Sequence, residues 1–419
     1  MVSIRRVTSY GKNLSIYFGA SLIPMVLNLV INPLVAQNMS PRDYAISGYY
    51  SSFSTLIGPI IWFYFVQFFI KEFFRKDENE RFKLIAIIAK SLIWFSGLLA
   101  FVCLILFYIY LKYIKTTSDL PIFPYLFLMI AAIPLTGLYN LKLAEDRIQK
   151  KAKEFFRLSV TNGILNVLLT LLFVVFLPLG AFGKLLAPML TALVVFLYML
   201  RTYKKYLSVK IKISEYIPVI KFCFPLALSA SLGYFTNGYP TTYLEGLNDI
   251  TSYGIYVVGY SIGHYLIVFS TAVNNTFQPD LYESVVKKRW KQYFLYVIAQ
   301  LALIGCIVIT FIVCAPFVID ILTAGRYSAA TPYAQIIALS TFTSTVYFII
   351  NNFSIVTNHP NYYLYTTILG SVFIVLTLPW FVSHWGFFGG AWLNVISFIV
   401  SALINLLILA LGRYIPILK

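Results

Sequence analysis

Charge is what this chain has least of. Only 11% of its 419 residues are Asp, Glu, Lys or Arg, where a soluble domain usually carries about 25%. So few polar groups cannot cover a water-facing surface, which excludes a soluble globular protein of this size. Acidic residues are scarcer still, with 15 Asp and Glu against 32 Lys and Arg and a formal net charge of +17. The four cysteines, Cys103, Cys223, Cys306 and Cys314, all fall inside apolar runs without metal-ligand spacing. They exclude a disulfide framework and a cysteine metal site, and read as small apolar core residues. No G-x-x-x-x-G-K-S/T element occurs, so the chain has no ATP-binding loop of its own. No nucleophile–base constellation, metal cluster or cofactor motif is present either, and the expectation is a protein that is not an enzyme and needs no cofactor.

Apolar runs fill the space that charge vacates. Hydrophobic residues make up 60% of the chain and mean hydropathy is +0.81. About 20 apolar residues at 1.5 Å rise cross the hydrocarbon layer. On that scale the sequence predicts twelve transmembrane helices, at 14–37, 44–70, 84–110, 122–143, 158–177, 185–200, 218–243, 252–277, 293–321, 333–356, 364–384 and 388–411. The fold class expected is an all-α integral membrane protein. The basic start, MVSIRRVTSYGKN, leads into a stretch too long for a signal peptide and reads as an uncleaved first helix.

The basic residues lie in short loops, the membrane pattern rather than the nucleic-acid one. One side of the twelve spans collects 24 Lys and Arg, against 5 on the other side: Arg42, Lys112, Lys115, Lys184 and Arg326. By the positive-inside rule both termini are cytoplasmic. The basic loop at 201–217 (RTYKKYLSVKIKISEYI) divides the chain into a six-helix bundle at 1–205, a cytoplasmic linker at 206–217 and a second six-helix bundle at 218–419. Six spans before the linker give both halves the same orientation, which permits a parallel repeat. Ile23-Pro24-Met25 has a counterpart in Phe224-Pro225-Leu226, and Asp43-Tyr44-Ala45-Ile46 has one in Ser252-Tyr253-Gly254-Ile255.

The first span of each half is rich in helix breakers. Span 1 carries Pro24, Asn28, Asn32 and Pro33; span 7 carries Pro225, Gly233, Asn237, Gly238 and Pro240. Breaks in both are expected, and freed backbone groups at membrane depth must face protein or a cavity. Ionisable residues inside spans cost about 2.5–3.5 kcal/mol each at a helix centre. Lys90, Lys142 and Lys221 are such residues, and snorkelling to an interface is the alternative reading for each. Together with Arg42 and Arg326 they suit an anionic substrate. His264 in span 8, after Gly259-x-x-x-Gly263, and the carboxylates Glu245 and Asp320 are candidates for coupling to an ion. The adjacent acids Glu145-Asp146 read as solvated loop charges.

Several segments carry a family resemblance. INPLVAQNMSPRDYAISGYYSSF resembles the first hairpin of polysaccharide exporters of the multidrug/oligosaccharidyl-lipid/polysaccharide superfamily. SYGIYVVGYSIGHYL, FQPDLYE, APFVIDILTAGRYSAATPYAQIIALS and GFFGGAWLNVISF are similar to later elements of that family, in order, over nearly the whole chain. Wzx-type O-antigen flippases are the group most similar. The resemblance implies two six-helix bundles related by a pseudo-two-fold repeat, alternating access, and the bacterial inner membrane as location. It also implies movement of an undecaprenyl-diphosphate-linked oligosaccharide from the inner to the outer leaflet. Its implied partners are the lipid-linked oligosaccharide, the bilayer, a polysaccharide polymerase and a chain-length regulator. A drug antiporter of the same superfamily is the alternative. A membrane polymerase or glycosyltransferase is a weaker one, because the chain lacks a large outer loop.

Overall fold

A computed structural model describes residues 23–73, 76–115, 120–356 and 361–411, except the side chains at 272, 275, 276, 279, 286, 355, 356 and 361–363. The start of the first expected span, 14–22, lies outside the described residues, as do Arg5, Arg6, Lys12, Arg75, Arg413 and Lys419. All regular structure among the described residues is helical. The chain forms two compact units, Met1–Ser231 and Leu232–Lys419.

The first unit begins with α1 (Ile23–Gln37). Next come α2 (Pro41–Trp62) and α3 (Phe65–Phe73), followed by α4 (Glu78–Ile114), α5 (Tyr125–Ile148), α6 (Ala152–Phe176) and α7 (Gly180–Leu207). Then α8 (Ile217–Asn237) crosses the division between the units. The second unit continues with α9 (Tyr239–Leu244), α10 (Ile250–His264), α11 (Leu266–Val286), α12 (Trp290–Thr323), α13 (Thr331–Val356) and α14 (Asn361–Leu411).

Nine helices among the described residues are long and apolar enough to cross a membrane, or ten when α2 and α3, bent by 48°, count as one span. Two further features fit the expected twelve. The apolar α1 (Ile23–Gln37) occupies the described part of the first expected span. The segment Leu364–Leu411 runs 48 residues, about two spans, and Gly386 within it has φ 55° and ψ −133°. That kink falls between the eleventh and twelfth expected spans.

Local chemistry sets the helix ends. Ser40 caps α2 with a reciprocal pair of bonds to Asp43, and Pro41 occupies the first turn. Asp43, expected in a loop, therefore sits inside the first turn of α2. Asp77 caps α4 and precedes Glu78 and Glu80, which favour the positive end of the helix. Phe63 and Tyr64, both with positive φ, make the corner before α3.

Of the breaks expected in the first span of each half, the described residues show the one in span 7, at two of its expected breakers, Gly238 and Pro240. Helix α1 runs unbroken past Pro33, and α8 runs unbroken past Pro225. Proline costs one helical hydrogen bond but keeps a helical φ, so a packed membrane helix can continue through it. The break at span 7 comes at Gly238, whose N–H bonds to the Tyr234 carbonyl before Pro240 starts α9.

The first unit packs around Phe65, Phe69, Leu84, Ile88, Leu92, Leu138, Leu141 and Met199. The second has a smaller cluster of Leu266, Ile304, Val308 and Ala338. The opposite faces are apolar and exposed; on α12 these include Phe294, Ile298, Ile309, Val313 and Phe317. Apolar surface of that extent suits lipid, not water.

Candidate functional site

Polar chemistry inside the first unit gathers at two places. At one, Asp43 does more than cap α2: its second carboxylate oxygen accepts the Ala181 N–H at 2.9 Å, tying α2 to the start of α7. A Cβ at Gly180 would lie 2.3 Å from that oxygen, and Gly180 has φ 54°, so only glycine fits. Four residues on, the Lys184 ammonium sits 4.2 Å from the centroid of the buried Tyr44 ring. Nearby on α2, Tyr49 accepts from the Lys115 ammonium at 3.2 Å, and Tyr50 stacks on Tyr125.

At the other place lie the adjacent acids. Glu145 and Asp146 are not solvated loop charges. They occupy the last turn of α5 at 9% and 1% exposure. The Tyr203 hydroxyl donates to one Glu145 oxygen at 2.9 Å, and the Gln149 amide donates to the other at 3.2 Å. Lys142, a predicted site residue, bonds Asp146 at 2.5 Å. The reading as loop charges fails because α5 extends to Ile148, past the expected span end at 143, and carries the pair inward.

The remaining predicted residues of this unit have separate surroundings. The Asn28 amide donates to the Pro24 carbonyl one turn back at 2.8 Å. Asn32 is half-buried. The Lys90 ammonium reaches the Val209 carbonyl at 2.5 Å, beside a π-helical turn at Ser91–Phe95. It borders a cavity of about 320 Å³ lined mainly by Phe65, Trp94, Phe95, Leu98 and Ile220. Arg42 and Lys221 are exposed.

In the second unit the structure brings two predicted residues together through a third. The Asn237 side-chain amide donates to the Gly233 carbonyl at 3.0 Å, and the Asn237 backbone carbonyl accepts the Tyr260 hydroxyl at 2.9 Å. Tyr260 in turn stacks on His264 with centroids 5.3 Å apart. On the same helix, a Cβ on Gly259 or Gly263 would lie 2.6–2.7 Å from the carbonyl oxygens of Ala330 and Ala334, so α10 packs backbone to backbone against the start of α13. Glu245 is buried. Asp320 accepts from the Ser328 hydroxyl at 2.6 Å, while Arg326 is exposed over the Tyr327 ring.

The second unit also holds an uncharged polar ladder that the sequence reading missed. Ser270, Asn274, Gln278 and Tyr282 are spaced four apart on α11. They bond in turn to Thr345 on α13, Gln300 on α12 and Asn352 on α13. The i+4 spacing of polar residues in an apolar run was the available signal. Among the described residues no group of three or more His, Cys, Asp or Glu could hold a metal ion.

No protein-family model matches the sequence, and neither does any curated protein sequence. Solved structures do match. An inward-facing multidrug resistance MATE family transporter of the MOP superfamily superposes with a TM-score of 0.69 at 14% identity, over 95% of this chain and 99% of that one. The lipid II flippase MurJ, in an inward closed conformation, gives 0.69 at 13%, over 94% and 87%. A MOP superfamily transporter from Pyrococcus furiosus, described as having a binding pocket of reverse polarity, gives 0.61 at 14%, over 96% and 95%. This likeness establishes the fold, an all-α integral membrane protein of two six-helix bundles.

Proposed function

We propose that this protein is a flippase, moving an undecaprenyl-diphosphate-linked oligosaccharide from the inner to the outer leaflet of a bacterial inner membrane by alternating access. The observation that carries this reading is the whole-chain likeness to transporters, one of them a lipid II flippase. The Wzx-like order of sequence motifs and the excess of basic residues favour a lipid-linked, anionic cargo over a neutral one. The division into bundles at 1–205 and 218–419 about a basic linker, with both termini cytoplasmic, belongs to the same proposal. So do a polysaccharide polymerase and a chain-length regulator as partners.

Within it, Lys90 and Lys221 contact the diphosphate, with Arg42 and Arg326 along the path. Asn28, Asn32 and Asn237 meet sugar hydroxyls, and His264, Glu245 and Asp320 serve coupling. The equal fold likeness to a MATE transporter supports a second reading, a small-molecule antiporter. Reconstitution in liposomes with a fluorescent undecaprenyl-diphosphate oligosaccharide separates the two. Flipping that Lys90→Ala and Lys221→Ala abolish, and Lys90→Arg partly retains, supports the flippase. Absence of flipping, together with transport of a cationic dye, supports the antiporter.

A further inference from the structure

The acid pair at the end of α5 is not electrically balanced. Both carboxylates are buried, and the one ammonium bonded to the pair, Lys142, goes to Asp146. They sit in the last turn of the helix Gly137–Ile148, where the macrodipole already presents negative charge. Glu145 has a donor on each oxygen, from Tyr203 and Gln149, as an ionised carboxylate requires. Asp146 differs. One oxygen accepts from Lys142; the other is buried with no hydrogen-bond partner. A bare, dry carboxylate oxygen is costly, and a proton removes that cost.

Among the described residues, no second cation is shown bonded to the pair. On α5 itself Arg147 is exposed, and Tyr139 faces Ser159. On α6 and its approach, Lys150, Lys151, Lys153, Glu154 and Arg157 are exposed. On α3, Lys71 is exposed and pairs with Glu72 at 3.8 Å. On α4, Arg81 bonds the Phe73 carbonyl, Lys83 pairs with Glu215 at 2.8 Å and Lys90 reaches Val209. On α7 the buried Tyr203 hydroxyl bonds Glu145, while Arg201, Lys204 and Lys205 are exposed.

We propose that Asp146 is an exchangeable-proton site sealed between α5 and α7, and that its charge state decides whether the Lys142 ammonium is held or free. With Asp146 ionised, Lys142 is its counter-ion. Once a proton binds the bare oxygen, the carboxyl is neutral and Lys142 loses the charge that holds it. The freed ammonium is then available to an anion. Only this last step rests on the flippase reading, since an anionic cargo would be the anion that benefits. The proton site itself does not depend on the cargo.

The test therefore reads the proton and not transport. Infrared difference spectra of the purified full-length protein in nanodiscs are recorded across a pH titration, watching the carbonyl stretch of a protonated carboxyl. The wild type should show a titrating band that Asp146→Asn removes and Glu145→Gln keeps. Asp146→Glu guards against misfolding of the amide variant and should shift the band without abolishing it. Lys142→Gln should change the pH at which the band appears, since the ammonium is the counter-ion of the ionised form. No titrating band, a band lost in Glu145→Gln but kept in Asp146→Asn, or an unmoved midpoint in Lys142→Gln would overturn the proposal. Loss of the band on adding sodium at fixed pH would also overturn it, in favour of a metal cation.

Discussion

The two units start an equivalent helix with the same pair of residue types in exchanged positions. In α2 the N-cap is Ser40 and the third helical residue is Asp43; in α10 the N-cap is Asp249 and the third is Ser252. Each pair is followed by a buried tyrosine, Tyr44 or Tyr253. Both arrangements satisfy an orphan N–H of the first turn, so for the local helix they are interchangeable. They differ in what is left over. Asp43 has a second oxygen to spare, and it crosses to the Ala181 N–H at the start of α7. Ser252 carries no such second acceptor of charge, and α10 is held instead by the backbone contact of Gly259 and Gly263 with α13. A helix start thus doubles as a charged tertiary tie in one unit, whereas the other relies on close packing.

Breaking the charged tie should have the largest effect. Gly180→Ala places a methyl group on the Asp43 oxygen and strains a positive φ. Strain and an unmade buried bond together should cost about 2–4 kcal/mol, read as a lower Tm of the purified protein. Transplanting the second unit's arrangement into the first is the sharper test. The double variant Ser40→Asp with Asp43→Ser should keep the cap of α2 yet lose the bond to Ala181, for about 1.5–3 kcal/mol. A Tm equal to the wild type would mean that the Asp43–Ala181 bond holds nothing together. The corresponding attack on the second unit is Gly259→Ala, whose methyl would meet the Ala330 carbonyl. Overpacking of that kind should cost about 1–3 kcal/mol, and Gly233→Ala, with open space around it, should be silent.

What could be seen in the sequence follows from the range of the interactions. Span number and membrane class rest on apolar length, a local property, and the kink at Gly386 falls between two expected spans. The small-residue spacing at Gly259 and Gly263 also showed which face of α10 packs closely. Glu145 and Asp146 could not be placed. They stand beside the basic run from Arg147 to Lys153, and the Tyr203 that binds Glu145 is 58 residues away. The breaker residues pointed to both first spans: Gly238 and Pro240 do mark the break of span 7, whereas Pro24 and Pro33 leave the described part of span 1 unbroken, because a proline can be carried within a packed helix. The predicted site residues divide in the same way. Asn237 and His264 meet only through Tyr260, whose spacing of four from His264 was visible, while its reach to Asn237 depends on the turn at Gly238.

The smallest effect expected lies at the exposed cap of the second unit, and it carries a pH signature. The Ser252 hydroxyl and N–H both bond the Asp249 carboxyl and hold its pKa below the ordinary aspartate value. A depressed folded-state pKa means that the cap stabilises fully above the unfolded value, about 3.9, and loses that contribution as pH falls through the folded one. Asp249→Ala should therefore lower stability by about 1 kcal/mol near neutrality. The gap in Tm between variant and wild type should then narrow as the solution is acidified below the ordinary aspartate range. Asp249→Asn keeps an oxygen acceptor without the charge, so it should retain much of the stability, and its smaller gap should change with pH in parallel with that of Asp249→Ala, since the titrating group belongs to the wild type. A gap that stays constant down to acid pH would mean that the carboxylate charge adds nothing to the cap. The two helix starts would then differ only in the tertiary bond that Asp43 makes.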